Sequence, residues 1–229
     1  MYTNYWDFAT RNWGDDERSG LLSTGKTVTN QFRWKLLEPP VGQVVTTAEA
    51  KLWSKINNTV EDSLMDSLIK VATSLAERYT SRAILRQKWS MFFDFVPANN
   101  AFEIKPVGNF TLDKINSYSM ANVASVWNAS NYIVDALDDI NPARILLNIG
   151  GVFPSDLRAK ACFEALFYVG WLTSADVPDD IKTAIKMIAQ NLYETREGQM
   201  TDREGADHGS GGIPTMAIKL LSQYKVYNL

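Results

Sequence analysis

Val60 to Trp89 reads VEDSLMDSLIKVATSLAERYTSRAILRQKW, and its reading decides the fold. Leu64, Leu68, Val71, Ala72, Leu75 and Tyr79 recur at spacings of three and four, which places them on one side of an α-helix. Asp66 and Lys70 form an i,i+4 pair on another side. The helical pattern ends near Arg82, and Ala83 to Val96, rich in Leu, Trp and Phe, leads to a turn at Pro97-Ala98-Asn99-Asn100.

Upstream, Thr46-Thr-Ala-Glu49 places a hydroxyl three residues before a glutamate, the pattern of a capping box. A short helix is expected from there to Ile56, broken by Asn57-Asn58. Downstream, short strands are expected at Phe102–Lys105, Phe110–Tyr118, Tyr132–Asp135 and Arg144–Asn148, set apart by Gly, Asn, Asp and Pro in the manner of a small antiparallel meander. Leu157 to Trp171 is ambiguous by period. Its first half can continue as a helix, and Ala165-Leu-Phe-Tyr-Val-Gly170 can form a buried strand. Pro178 suits a first helical position, and Asp179 and Asp180 complement the helix dipole. Ile181, Ile185, Ile188, Ala189 and Leu192 follow as an apolar stripe ending near Gly198. Gln199 to Gly212 is polar and glycine-rich, the composition of a hinge loop. Pro214 to Tyr224 reads as a short terminal helix with Met216, Leu220 and Leu221 as its apolar residues.

The first forty residues differ from the rest. Tyr2, Tyr5, Trp6, Phe8, Trp13, Phe32 and Trp34 are scattered among polar residues without a sustained period, and Pro39-Pro40 closes the segment. Two readings stand side by side: an extended arm ordered against a partner, or a strand or cover packed on its own domain.

Composition bounds the function. The 229 residues carry 23 basic and 26 acidic side chains, a net charge of -3, without the basic surplus that phosphate-backbone binding requires. The single Cys162 has no partner for an internal disulfide, which fits a reducing compartment such as the cytoplasm. The polar start shows no signal-peptide core, and no apolar run is long enough for a bilayer. Seven Trp, nine Tyr and ten Phe accompany one His. Aromatic residues favour interfaces and His is the usual general base, so binding and assembly outrank catalysis.

Gly20-Leu-Leu-Ser-Thr-Gly25-Lys26-Thr27 matches the phosphate-cradling pattern GxxxxGK[ST]. That chemistry needs a buried strand before the loop and a helix after it, so that backbone N–H groups and the helix dipole face the phosphates. The preceding Asn12-Trp-Gly-Asp-Asp-Glu-Arg-Ser19 is no buried strand, and a double proline follows within twelve residues of Thr27. A nucleotide-binding enzyme using Gly20, Gly25, Lys26 and Thr27 is therefore the alternative rather than the leading reading. Asp202, Glu204, Asp207 and His208 follow no metal-ligand spacing and read as a solvated loop. No cofactor, metal or catalytic residue is assigned.

Several segments, in order, resemble the head-to-tail connector (adaptor) proteins of tailed bacteriophages. They are Thr46-Thr-Ala-Glu-Ala50, Glu61-Asp-Ser-Leu-Met-Asp-Ser-Leu-Ile69 and, most specifically, Ala76-Glu-Arg-Tyr-Thr-Ser-Arg-Ala-Ile-Leu-Arg-Gln-Lys-Trp89. Asn131–Asp135, Arg144–Leu147, Leu166–Trp171, Val177–Glu197 and Ile213–Val226 continue the likeness. Ser81 stands where the family usually has Gly, which argues against a left-handed helix cap there. The resemblance assigns Ala165–Gly170 to a strand.

The resemblance implies an α+β, mainly α fold: a helical bundle with a small inserted antiparallel sheet. The likeness runs from Val41 to Val226, which sets a connector core at 41–198 and a flexible loop with a C-terminal docking segment at 199–229; residues 1–40 lie outside it and are read as an extended N-terminal arm. It implies a non-enzymatic ring of about twelve copies in the virion neck, joining the portal to a downstream tail or stopper protein around passing double-stranded DNA, with no membrane partner. Ile213, Met216, Leu220, Leu221, Tyr224, Val226 and Tyr227 are its portal-docking residues. Tyr5, Trp6, Phe8 and Trp13 are the arm contacts, and Tyr79, Arg82, Trp89, Tyr193 and Arg196 the ring-interface residues. Another helical scaffold or binding module is the looser alternative.

Overall fold

The structure, a computed structural model, describes residues 33–94, 96, 99–136, 141–195 and 213–226. Among them are four α-helices and eight strands: β1 Arg33–Glu38, α1 Thr47–Trp53, α2 Asp62–Thr80, β2 Gln87–Phe93, β3 Ala101–Glu103, β4 Phe110–Tyr118, β5 Ala124–Val126, β6 Tyr132–Asp135, β7 Arg144–Leu147, β8 Phe163–Val169, α3 Asp179–Glu194 and α4 Thr215–Ser222.

The helical signals form as expected. Thr46 and Glu49 make the reciprocal capping box: the Glu49 N–H donates to Thr46 Oγ1, and the Thr46 N–H donates to the Glu49 carboxylate at 2.8 Å. Lys70 Nζ meets Asp66 at 2.6 Å. The face that α2 buries is turned by one residue from the expected one. Met65, Ile69, Ala72, Ala76 and Thr80 are buried, whereas Val71 is 48% exposed. Small Ala72 and Ala76 let α3 approach closely, and α3 answers with Ile181, Ala184, Ile185, Ile188 and Ala189. Ala217 and Leu221 of α4 complete this helical core.

The expectation of a mainly helical bundle with a small inserted sheet is overturned. Two antiparallel sheets form, one five-stranded in the order β1-β2-β8-β4-β5, the other three-stranded in the order β3-β7-β6. The reason is non-local pairing. Gln87–Phe93 pairs along its whole length with Phe163–Val169, so segments that read as isolated apolar runs are adjacent central strands. β8 alternates fully buried and half-buried residues, the period-two signature of a sheet with one face in a core. Trp89, Met91 and Phe93 of β2, Ile115 of β4, and Phe163, Ala165 and Phe167 of β8 meet Phe102 of β3 and Ile145 of β7 in a second core. The Phe102 ring stands edge-on to Phe93 at 4.6 Å and to Phe163 at 5.5 Å, a favoured aromatic arrangement that locks the sheets face to face.

The last residues of the N-terminal forty form β1, the outer strand beside β2, with Trp34 and Leu36 packed on the sheet core. Leu157–Cys162 forms no helix.

One short segment joins the two cores. Ser81 ends α2 in the left-handed conformation at φ 57° and ψ 33°, so the cap forms with Ser in place of Gly. The chain then runs beside Gly170 and Trp171: the Trp171 N–H donates to the Ile84 carbonyl at 2.8 Å, and the Arg86 N–H donates to the Trp171 carbonyl at 2.8 Å. Ile84, Leu85 and Trp171 belong to the helical core while neighbouring Ala83 belongs to the sheet core. The two layers are thus tied at the α2–β2 turn.

Candidate assembly surfaces

The C-terminal segment is part of the fold. Ile213 and Leu221 are buried in the helical core, and Leu220 and Tyr224 pack against it. The Val226 N–H donates to the Thr80 carbonyl at 3.0 Å, and Lys225 Nζ lies 5.1 Å from the centre of the Tyr79 ring. Met216 turns outward, 56% exposed. Of the docking residues named from the sequence, Met216 offers apolar surface freely and Leu220, Tyr224 and Val226 offer it in part. Tyr227 lies outside the described residues.

The described residues expected at a ring interface do not form one patch. Tyr79 is half-buried against the helical core. Arg82 is buried at the α2–β2 turn, and Trp89 is buried in the sheet core. Tyr193 is half-buried, its hydroxyl donating to Glu61 at 2.5 Å and fastening the end of α3 to the start of α2. Arg196 lies outside the described residues, as do Tyr5, Trp6, Phe8 and Trp13 of the arm and Gly20, Gly25, Lys26 and Thr27 of the phosphate-loop pattern.

Sequence reasoning missed the apolar surface that is open. It includes Leu52 on α1, Val60 before α2, Val71 on α2, and Met120, Val123 and Val126 around the β4–β5 hairpin. Val71 had a signal: it belongs to a second set of apolar residues on α2, one residue out of phase with the buried set.

Glu77, Glu164, Tyr118 and Cys162 are engaged in hydrogen bonds within the fold. Glu77 accepts the Ile84 N–H at 2.8 Å and the Gln87 side-chain amide at 3.2 Å, and burial pushes its carboxyl up to about 7 against those two bonds. Burial also raises Glu164. Hydrogen bonds from Ser90, Tyr118 and Asn116 outweigh that and hold it below the usual carboxylate range. Burial and the Glu164 charge push Tyr118 up to about 12. Burial raises the Cys162 thiol, which donates to the Phe93 and Asp94 carbonyls, so it is a buried structural side chain without thiolate character. Among the described residues no three His, Cys, Asp or Glu side chains gather as a metal site, and no helix is long and apolar enough to cross a membrane. Asp202, Glu204, Asp207 and His208 lie outside them.

No family model matches the sequence, and no curated protein matches it. Solved structures do match. A chain in the neck of an empty gene transfer agent (GTA) particle, computed with C6 symmetry, aligns over 86% of this chain and 97% of its own length, with 18% identity and a TM-score of 0.67. The chain has the fold of a neck protein. A chain in the virion of the native GTA particle aligns over 86% and 96%, with 17% identity and a TM-score of 0.63. A third, from the neck of the native particle computed with C12 symmetry, aligns over 85% and 97%, with 19% identity and a TM-score of 0.58. This neck fold agrees with the connector resemblance carried by Ala76–Trp89.

Proposed function

We propose that this chain is a non-enzymatic structural protein of a virion neck, assembled as a ring of about twelve copies between the capsid portal and the tail. The observation that carries the reading is the fold: it matches neck chains over nearly their whole length, in particles described with C6 and C12 symmetry. Double-stranded DNA passes through such a ring, and the chain's net charge of -3 leaves no general basic surplus to hold the duplex. The portal meets the C-terminal segment through exposed Met216, with half-buried Leu220, Tyr224 and Val226 contributing in part. A downstream tail or stopper protein meets the opposite side of the ring.

Co-sedimentation with portal tests this reading. Truncation after Gln199 is unsuited to the purpose, because it removes Ala217 and Leu221 from the helical core. Met216→Asp changes an exposed side chain and leaves the fold intact. The full chain is expected to sediment with portal rings, and the variant to do so weakly with an unchanged circular dichroism spectrum. Failure of the full chain to bind portal contradicts the reading. Equal binding by the variant contradicts only the role of α4.

A further inference from the structure

Helix α2 carries more apolar surface than its own chain covers. Its buried residues, Met65, Ile69, Ala72 and Ala76, face α3. At about 100° per residue, Leu64, Leu68 and Val71 form a second stripe roughly a third of a turn away. At its far end this stripe continues into Leu75 and Tyr79, which pack on the helical core beside the C-terminal segment. At its near end Val71 is 48% exposed and Val60 in the preceding turn is 88% exposed, with half-buried Leu64 and Leu68 between them.

The opposite side of α2 is occupied by α1. Lys51 bonds to Asp62 at 2.5 Å, and the Gln43 side chain bonds to Asp66. Asp62 and Asp66 lie about half a turn around α2 from Leu64 and Val71. On α1, Leu52 is 82% exposed and Trp53 39% exposed. The helical layer therefore carries two different apolar patches on opposite sides.

A closed ring needs that arrangement, because each subunit must offer one face to the neighbour on its left and a different one to the neighbour on its right. Resting on the ring reading above, we infer that the Val60–Leu64–Leu68–Val71 stripe of one subunit is the seat for Leu52 and Trp53 on helix α1 of the next copy. The occupant is a second copy, on two grounds. The complementary patch lies on the far side of the same layer. Residues 196–212 contain only Met200 and Ala206 as apolar side chains, too little to cover the stripe. Trp53 supplies the kind of side chain that concentrates binding energy at protein interfaces.

Val71→Glu and Leu52→Glu each place a charge on one of the two patches, and Val60→Glu serves as a second stripe variant in the turn outside the helix. Analytical ultracentrifugation of full-length protein, with circular dichroism as the folding control, reads the result. Each variant is expected to stay monomeric at concentrations about tenfold above those at which wild type forms rings. An equimolar mixture of Leu52→Glu and Val71→Glu retains one intact junction and is expected to give dimers but no rings. That outcome requires two unlike faces. Rings formed normally by all the variants overturn the inference, as do rings lost on deleting residues 1–32 while the substitutions are tolerated. A wild-type chain that forms no ring, alone or with portal, contradicts the ring reading itself rather than the choice of faces.

Discussion

The Glu77 carboxylate accepts the Ile84 backbone N–H at 2.8 Å, bridging the last turn of α2 to the segment that leads into the sheet. Burial makes its charged form costly there, raising its pKa from 4.5 to about 7. The folded state therefore holds this proton more tightly than the unfolded state does. Below about pH 4.5 the group is protonated in both states and adds no penalty; as pH rises towards 7 the penalty grows, and above that it is constant. Glu77→Gln keeps an acceptor for the Ile84 N–H without a charge. It is expected to raise stability at pH 8 by about 1–3 kcal/mol and to flatten the fall in stability between pH 5 and 7. Urea unfolding at a series of pH values checks this.

Ser81 occupies the left-handed region at the C-terminus of α2 and is exposed there. A side chain in that conformation costs about 1 kcal/mol relative to glycine. Ser81→Gly is expected to stabilise the protein by about 0.5–1 kcal/mol, seen as a shift of the urea midpoint with an unchanged slope.

Gly170 has φ +106°, and a Cβ built on it would lie 2.4 Å from the Leu85 carbonyl oxygen. The contact is backbone on backbone at the turn joining the two cores, so no side chain can yield. Gly170→Ala is expected to cost more than about 2 kcal/mol. Amide exchange at Arg86 and Trp171 should accelerate with it, because their N–H groups bridge that turn.

Leu221 is fully buried between α4 and the helical core. Leu221→Ala is expected to cost about 2–5 kcal/mol, whereas Met216→Ala, at an exposed site, should lie within about 0.5 kcal/mol of wild type. Thermal denaturation of the two variants separates the structural part of the C-terminal segment from its outward face.

The helices were legible because their signals are local. Thr46 and Glu49 announce the start of α1 within four residues, and Asp179 and Asp180 mark the start of α3 in the same way. The burial phase of α2 was less legible: Leu64, Leu68 and Val71 keep helical spacing as well as Met65, Ile69 and Ala72 do, and only contact with α3 selects between them. The sheet was under-read because its central pairing joins Met91 to Ala165, a relation that no local window contains. Strands β4 and β6 were legible from their flanking turns, whereas β1 lay hidden in a segment whose aromatics showed no period. Of the residues expected at assembly surfaces, Met216 is exposed and Tyr79 half-buried against the helical core, while Trp89, Ile213 and Leu221 are core. A large apolar side chain reads alike in a sequence whether its own chain or a neighbour buries it.

Electron microscopy of the purified full-length chain, negatively stained alone and with portal, tests the central claim most directly. The account predicts closed rings of about twelve subunits, stacked coaxially on the portal when it is present. Particles that remain single subunits in both preparations would contradict it.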